Sequence, residues 1–331
     1  PQEAGRIDTV PTTNLEAYEA YLRGKQLMAT RDSEKLRQSI EEFNRAVELD
    51  PNFALAWVGV ADSNYVYPLY AAVDHGSFLP IREQAINRAL AIDDLLGEAY
   101  ASLGSISADK NRDEDAETAF SRALELSPNY ATAYHWYSNF LAGDIQRIDE
   151  AIALASRAVE LDPNSGIIRN NLGGAYRDKG LYSMAEQQYL KVIEHDSEFA
   201  TTHTNLARLY YWNTTQLPKA LIHLLKATEL DPGNISILGQ LVDVYLQLGD
   251  SSAANSILEQ MADLDSDHEQ VVHSELWINI HKRNDAAARE AINWLLPKIQ
   301  EHENEDWAQT MGTFELLMGD KHRARKIYLS V

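Results

Sequence analysis

Hydrophobic positions recur at steps of three and four within helix-length blocks of this chain, and short polar turns separate one block from the next. Leu15, Tyr18, Tyr21 and Leu22 keep that spacing in the first block, with Asn14 placed to cap it. Seven separators share an acidic signature, most of them with proline: Glu48-Leu49-Asp50-Pro51, Ile92-Asp93-Asp94, Glu125-Leu126-Ser127-Pro128, Glu160-Leu161-Asp162-Pro163, Glu194-His195-Asp196-Ser197, Glu229-Leu230-Asp231-Pro232 and Leu264-Asp265-Ser266. The residues in the proline slot follow one another at steps of 43, 34, 35, 34, 35 and 34. A fixed period of that size predicts stacked helical hairpins. Proline suits the junction because it stops one helix and presets the angle of the next.

Residue size follows the same period. Ten places after each slot stand Ala61, Gly104, Ser138, Gly173, Ala207 and Val242, nearly all small, as close approach of two helix backbones requires. Five places before the slots stand Ala46, Ala89, Ala123, Ala158, Val192, Ala227 and Met261. Bulky Phe43, Ile86, Phe120, Tyr189, Leu224 and Leu258 fall between them, so large faces small at fixed offsets and ridges can enter grooves.

Two runs carry a family pattern: Tyr100-Leu103-Gly104 with Ala116-Phe120-Ala123-Pro128, and Leu172-Gly173-Tyr176 with Ala185-Tyr189. The chain resembles the tetratricopeptide repeat on these residues, over roughly 14–331. The expected architecture is an all-α, right-handed superhelical solenoid of about eight to nine antiparallel hairpins. Residues 1–13 read as linker and 14–331 as the solenoid. The 43-residue unit holds an insertion at about 67–80, the first unit a lengthened turn around Arg31–Lys35, and the repeats degenerate after about Ser266. A last partial unit is expected from Asp306 to Val331.

The segment Asn14 to Gly24, together with the insertion, is also similar to the C-terminal repeat region of bacterial multidomain regulators. In these a winged helix or a nucleotide cyclase and a TolB-like segment precede the repeats. That likeness implies a sensory or oligomerising role, a homodimer as one assembly, and a periplasmic setting; without it the expectation is cytoplasmic.

Apolar residues make up 45% of the sequence, enough for a continuous core, yet no apolar run is long enough to span a membrane. The net charge of −21 argues against nucleic acid and anionic lipid as partners and for a protein or peptide. The absence of cysteine removes disulfides, thiolate metal sites and thiol nucleophiles.

First helices of a stacked array line its concave face, and eight places after the slot three consecutive units present Asn171, Asn205 and Gln240. A primary amide donates and accepts, so a ladder of amides can hold the backbone of an extended peptide. Some tetratricopeptide proteins use asparagine in this way, and the resemblance extends that role to Asn171 and Asn205. The same stripe adds Asn139, Trp136, Arg177, Arg208, Tyr211 and Trp212, residue types that anchor interfaces. A two-carboxylate clamp is disfavoured, because its slots hold His135, Asn139, Asn171, Thr201 and Asn205 without a lysine or arginine.

Catalytic signals are poor. His268 and His273 are five apart, about 140° around a helix, and so diverge rather than share a metal. His195 and His203 flank a turn and could meet, but no third ligand is evident. Gly173-Gly174 lies within a helix and forms no phosphate loop. The sequence therefore predicts a non-catalytic interaction scaffold with no cofactor and no metal.

Overall fold

The computed structural model describes residues 11–71 and 73–302, with the backbone alone at 298–302, and Met311, Gly312, Phe314, Glu315, Arg323, Ala324 and Ile327 beyond them. These residues form sixteen α-helices and no strand. They divide into two compact units, Pro1–Leu181 and Tyr182–Val331.

The first unit pairs α1 (Leu15–Ala29) with α2 (Ser33–Leu49), α3 (Ala54–Tyr70) with α4 (Leu79–Ile92), α5 (Gly97–Asp109) with α6 (Asp113–Leu126), and α7 (Ala131–Ala142) with α8 (Ile148–Leu161). Helix α9 (Gly166–Asp178) packs on both α8 and α7. The first helices also touch in succession, α1 on α3, α3 on α5, α5 on α7 and α7 on α9. The second unit begins with α10 (Tyr182–His195) and continues with the hairpins α11 (Ala200–Arg208) and α12 (Leu217–Leu230), α13 (Ile235–Gln247) and α14 (Ser251–Asp265), and α15 (Glu269–His281) and α16 (Asp285–His302). The expected all-α repeat of antiparallel hairpins is the observed architecture.

The acidic separators end helices by a common device. The amide of Asp50 donates back to Ala46 O at 3.0 Å, Asp93 to Ala89 O at 2.9 Å, Ser127 to Ala123 O at 2.8 Å, Asp162 to Ala158 O at 2.9 Å and Asp231 to Ala227 O at 2.9 Å. The proline that follows in four of these cannot extend the ladder, because it has no N–H. The accepting alanines are fully buried, since their small side chains let the next hairpin close over the junction.

Large residues fill the gaps that glycines leave. Phe43 on α2 lies against Gly24 and Gly59, and a Cβ on Gly59 would stand 2.3 Å from Phe43 Cδ1. Phe120 on α6 uses Gly104 in the same way, at 2.7 Å. Phe43, Ala46, Ala56, Ile86 and Ala89 belong to one buried cluster, and Phe120, Ala101, Ala116 and Trp136 to another.

Two expectations change. Helix α2 begins already at Ser33, capped by Asp32, so the turn between α1 and α2 is short and not lengthened. Arg31 makes this brevity possible by taking a left-handed backbone, φ 58°. The insertion falls partly into α3, which runs on to Tyr70 with Pro68 inside it, and partly into a 3₁₀ turn at His75–Phe78.

At the ends, residues 1–10 of the expected linker lie outside the described residues. Thr12 is held, its hydroxyl donating to Asp50 Oδ2 at 2.5 Å, and Asn14 caps α1 while donating to Leu49 O at 2.9 Å. The expected last unit lies mostly outside the described residues. Met311, Phe314 and Ile327 are buried with Leu276, Ile292 and Leu295.

Candidate functional site

In the first unit Asn139 on α7 and Asn171 on α9 hold the same stripe of successive first helices, and the two side chains meet. The amide nitrogen of Asn171 donates to Asn139 Oδ1, and Asn139 Nδ2 lies 3.3 Å from His135 Nε2. An amide nitrogen can only donate, so His135 accepts at Nε2 and carries its proton on Nδ1. Burial lowers the His135 pKa to about 4, against a smaller opposing effect of its hydrogen bond with Asn171. Asn139 is exposed and Asn171 half-buried.

Trp136, which the pattern placed on the groove surface, is only 8% exposed. It packs edge-on against Tyr65 of α3, ring centres 5.3 Å apart, because the long α3 reaches past α5 to cover it. Arg177 is half-buried and pairs with its neighbour Asp178 at 2.8 Å.

Beneath this stripe lies a polar floor. Arg82 of α4 is 1% exposed, held by Asp109 at 2.5 Å and Ser105 at 3.0 Å, with its guanidinium 4.5 Å from the centre of the Tyr65 ring. Asp62 of α3 is buried and accepts from Ser102 Oγ at 2.5 Å. Burial raises its pKa to about 7, against the lowering effects of the Ser102 bond and the charges of Arg82 and Arg31. Arg82 lies on a second helix, off the stripe. Asp62, eleven places after Pro51 as Asn139 is after Pro128, lies on the stripe but was not among the predicted site residues. Asp62 did leave a signal: a carboxylate within the apolar run Val58-Gly59-Val60-Ala61 has to be either bonded or functional.

In the second unit Arg208 and Gln240 come together, Arg208 Nε donating to Gln240 Oε1 at 3.2 Å, while Gln240 Nε2 donates to Ser236 O at 3.2 Å. Asn205 is half-buried one turn before Arg208. Helix α11 stops at Arg208 and continues as a π turn over Leu209–Asn213. The wider turn buries Tyr210, half-buries Tyr211 and leaves Trp212 66% exposed, with the Tyr211 and Trp212 rings edge to face at 4.4 Å. Burial, with Asp243 nearby, pushes the Tyr211 phenol up to about 12, and burial raises Asp243 itself to about 7.

His203 does not meet His195; it meets His223 of α12, Nδ1 to Nδ1 at 3.0 Å. Its Nε2 lies 3.1 Å from the Ser197 carbonyl, so Nε2 carries the proton and His223 Nδ1 is the donor between the rings. Among the described residues no three His, Cys, Asp or Glu side chains come together to hold a metal, and no helix is long and apolar enough to cross a membrane.

Two models of the tetratricopeptide repeat match the chain, one over residues 97–130 and one over residues 141–201. The chain carries tetratricopeptide repeats. The anaphase-promoting complex subunit CDC16 of Saccharomyces cerevisiae is 25% identical over 211 residues, which is 61% of this chain and 24% of that protein. The chain thus spans about a quarter of the length of this curated relative. Among solved structures, yeast Tom70 is similar over 96% of this chain and 65% of its own, with a TM-score of 0.57 and 17% identity. PilF of Pseudomonas aeruginosa covers 66% of this chain and 94% of its own, with a TM-score of 0.52 and 17% identity. These structural likenesses bear on the fold. Tetratricopeptide repeats generally mediate protein–protein interaction, and scaffolds built from them are generally non-catalytic. Asn139 and Asn171 lie in the two matched segments' neighbourhood: Asn171 falls within the 141–201 match and Asn139 just before it.

Proposed function

We propose that the chain is a non-catalytic scaffold whose tetratricopeptide first helices bind an extended segment of a partner protein through side-chain amides. The observation that carries this reading is the bonded pair Asn139 and Asn171 on successive first helices. The hydrogen bond from Asn171 to Asn139, with that from Asn139 to His135, holds the two amides in place, which lowers the entropy lost when a peptide binds them. Asn205, Gln240 and Arg208 offer the same chemistry in the second unit, with Tyr211 beside them as an anchor. Arg177 borders the first stripe, and Trp136 supports it from below. Main-chain recognition of this kind tolerates many peptide sequences, since every residue carries the same N–H and C=O groups.

The test uses dodecapeptides selected from a random library on the full chain. Their affinity is measured by calorimetry for wild type and for Asn171→Ala with Asn205→Ala. The double substitution should weaken binding by roughly tenfold or more, equivalent to about 1.4 kcal/mol. Unchanged affinity would remove the amides from the binding surface.

A further inference from the structure

We propose that His203 and His223 form a binding site for a divalent transition-metal ion of the class that imidazole nitrogen holds, zinc above all. The two rings face one another across the α11–α12 hairpin, Nδ1 to Nδ1 at 3.0 Å with ring centres 5.2 Å apart. Two nitrogens bound to one zinc at about 2.0–2.1 Å stand about 2.8–3.4 Å apart, for bond angles from about 90° to the tetrahedral value. The pair already has that separation. A metal ion takes the place of the one proton shared between the rings. His203 keeps its proton on Nε2, while the Nδ1 proton of His223 moves to Nε2 of the same ring. Both imidazoles therefore stay neutral, and both Nδ1 lone pairs serve as ligands.

The repeat accounts for one nitrogen of His203 and leaves the other over. Six places after the slot, successive first helices bring a side-chain donor to the slot carbonyl. Trp57 Nε1 donates to Pro51 O at 3.0 Å, Tyr100 OH to Asp94 O at 3.0 Å, Tyr134 OH to Pro128 O at 3.2 Å and Arg169 Nη2 to Pro163 O at 2.7 Å. His203 Nε2 makes the same bond to Ser197 O at 3.1 Å. The following repeat has Leu238 there, fully buried and without a donor, so closing a hairpin does not depend on this bond. Of these side chains only imidazole has a second nitrogen with a lone pair, and at His203 it points at His223. A ring N–H held by a backbone carbonyl is also the arrangement that orients a metal-bound histidine and raises the basicity of its other nitrogen.

The surroundings suit a cation. Tyr210 backs the pair, its ring stacked on His223 at 5.6 Å and its hydroxyl donating to Glu186 at 2.5 Å. The neighbouring lysines are already matched, Lys219 with Glu186 at 3.6 Å and Lys226 with Glu229 at 2.9 Å, so neither presents an unbalanced charge to the ion. His203 is buried and His223 half-buried, so the ion reaches the pair from the His223 side. No third His, Cys, Asp or Glu joins them among the described residues, and water completes the shell. Two rings already fixed in place lose little freedom on binding, which offsets the small number of protein ligands.

The chain is stripped of metal with EDTA, dialysed and titrated with zinc chloride by calorimetry at neutral pH, as wild type, His203→Gln, His223→Gln and His195→Gln. Glutamine keeps an N–H donor at either position of the pair, and circular dichroism with urea unfolding checks that each variant folds. One zinc per chain should bind to wild type. Either substitution in the pair should weaken binding at least roughly tenfold, because a chelate becomes a single ligand. His195→Gln, on the exposed turn nearby, should change nothing, and magnesium, which prefers oxygen ligands, should not compete. Nitrogen NMR of the histidine rings gives a reading on wild type alone. Zinc should shift Nδ1 of His203 and His223 together and move the His223 proton to Nε2. Wild type that binds no zinc, binding that survives either substitution in the pair, or ring signals of His203 and His223 that zinc leaves in place would overturn the proposal.

Discussion

Single residues set the spacing between helices here, and glycine does so most severely. Gly104 has Phe120 Cδ1 where its own Cβ would be, 2.7 Å away, and the aromatic ring is fully enclosed. Gly104→Ala must push Phe120 off its rotamer or part α5 from α6, and overpacking of this kind costs about 1–3 kcal/mol. Urea unfolding should show the midpoint falling with an unchanged slope. This position was legible in the sequence, because Gly104 occupies the small slot and Phe120 the large one of the same repeat. Asn139 and Asn171 were legible for the same reason, being residues that the repeat leaves free. Arg82 was not. Its burial depends on Asp109 and Ser105 of another helix, and no periodicity along the chain displays that contact.

At the level of elements, the extra residue of each 35-residue step is absorbed in a different place. Between Pro128 and Pro163 it enters the turn, where Ile145–Arg147 form a 3₁₀ segment. Between Ser197 and Pro232 it enters the first helix, and the π turn Leu209–Asn213 results. The length of the step was readable, but the choice between turn and helix depends on packing. Here Tyr210 donates to Glu186 at 2.5 Å, and His223 stacks on its ring at 5.6 Å, so the surplus residue is looped outward as exposed Trp212. Single-turn π-bulges persist where an insertion brings a function. Deleting Trp212 restores a 34-residue step and should give a continuous α-helix with stability within about 1 kcal/mol of wild type, since an exposed residue is removed. Circular dichroism and urea denaturation check the fold. If the turn exists to present Tyr211 and Trp212, affinity for the selected peptides falls while stability holds.

The two compact units differ in how their buried titratable groups are balanced, a property of the whole molecule that composition does not reveal. A net charge of −21 says that the chain is acidic, without saying which groups bind protons differently on folding. In the first unit burial lowers His135 to about 4 and raises Asp62 to about 7. In the second, His223 and His273 are lowered to about 4 and His203 is lowered as well, against one raised carboxyl, Asp243, at about 7. A buried neutral histidine contributes stability that is present above its unfolded pKa, about 6.5, and is lost as the pH falls toward 4. A carboxyl with a raised pKa has the opposite slope: the folded state binds the extra proton, so stability is lost as the pH rises from about 4 to about 7. One histidine against one carboxyl nearly cancels in the first unit. Three against one leaves the second unit acid-sensitive. Stacked repeats couple chiefly to their neighbours, so this difference should survive in the intact chain. Hydrogen exchange resolved by peptide and corrected for intrinsic rates, followed from pH 7 down to about pH 5, should therefore show protection lost in α11 to α15 and kept in α3 to α7. Asp62→Asn sharpens the test. It keeps an acceptor for Ser102 but removes the opposing proton uptake, so the first unit should gain stability at neutral pH, on the order of 1–3 kcal/mol, and become acid-sensitive through His135. A first unit whose protection stays independent of pH in this variant would mean that His135 and Asp62 do not balance one another.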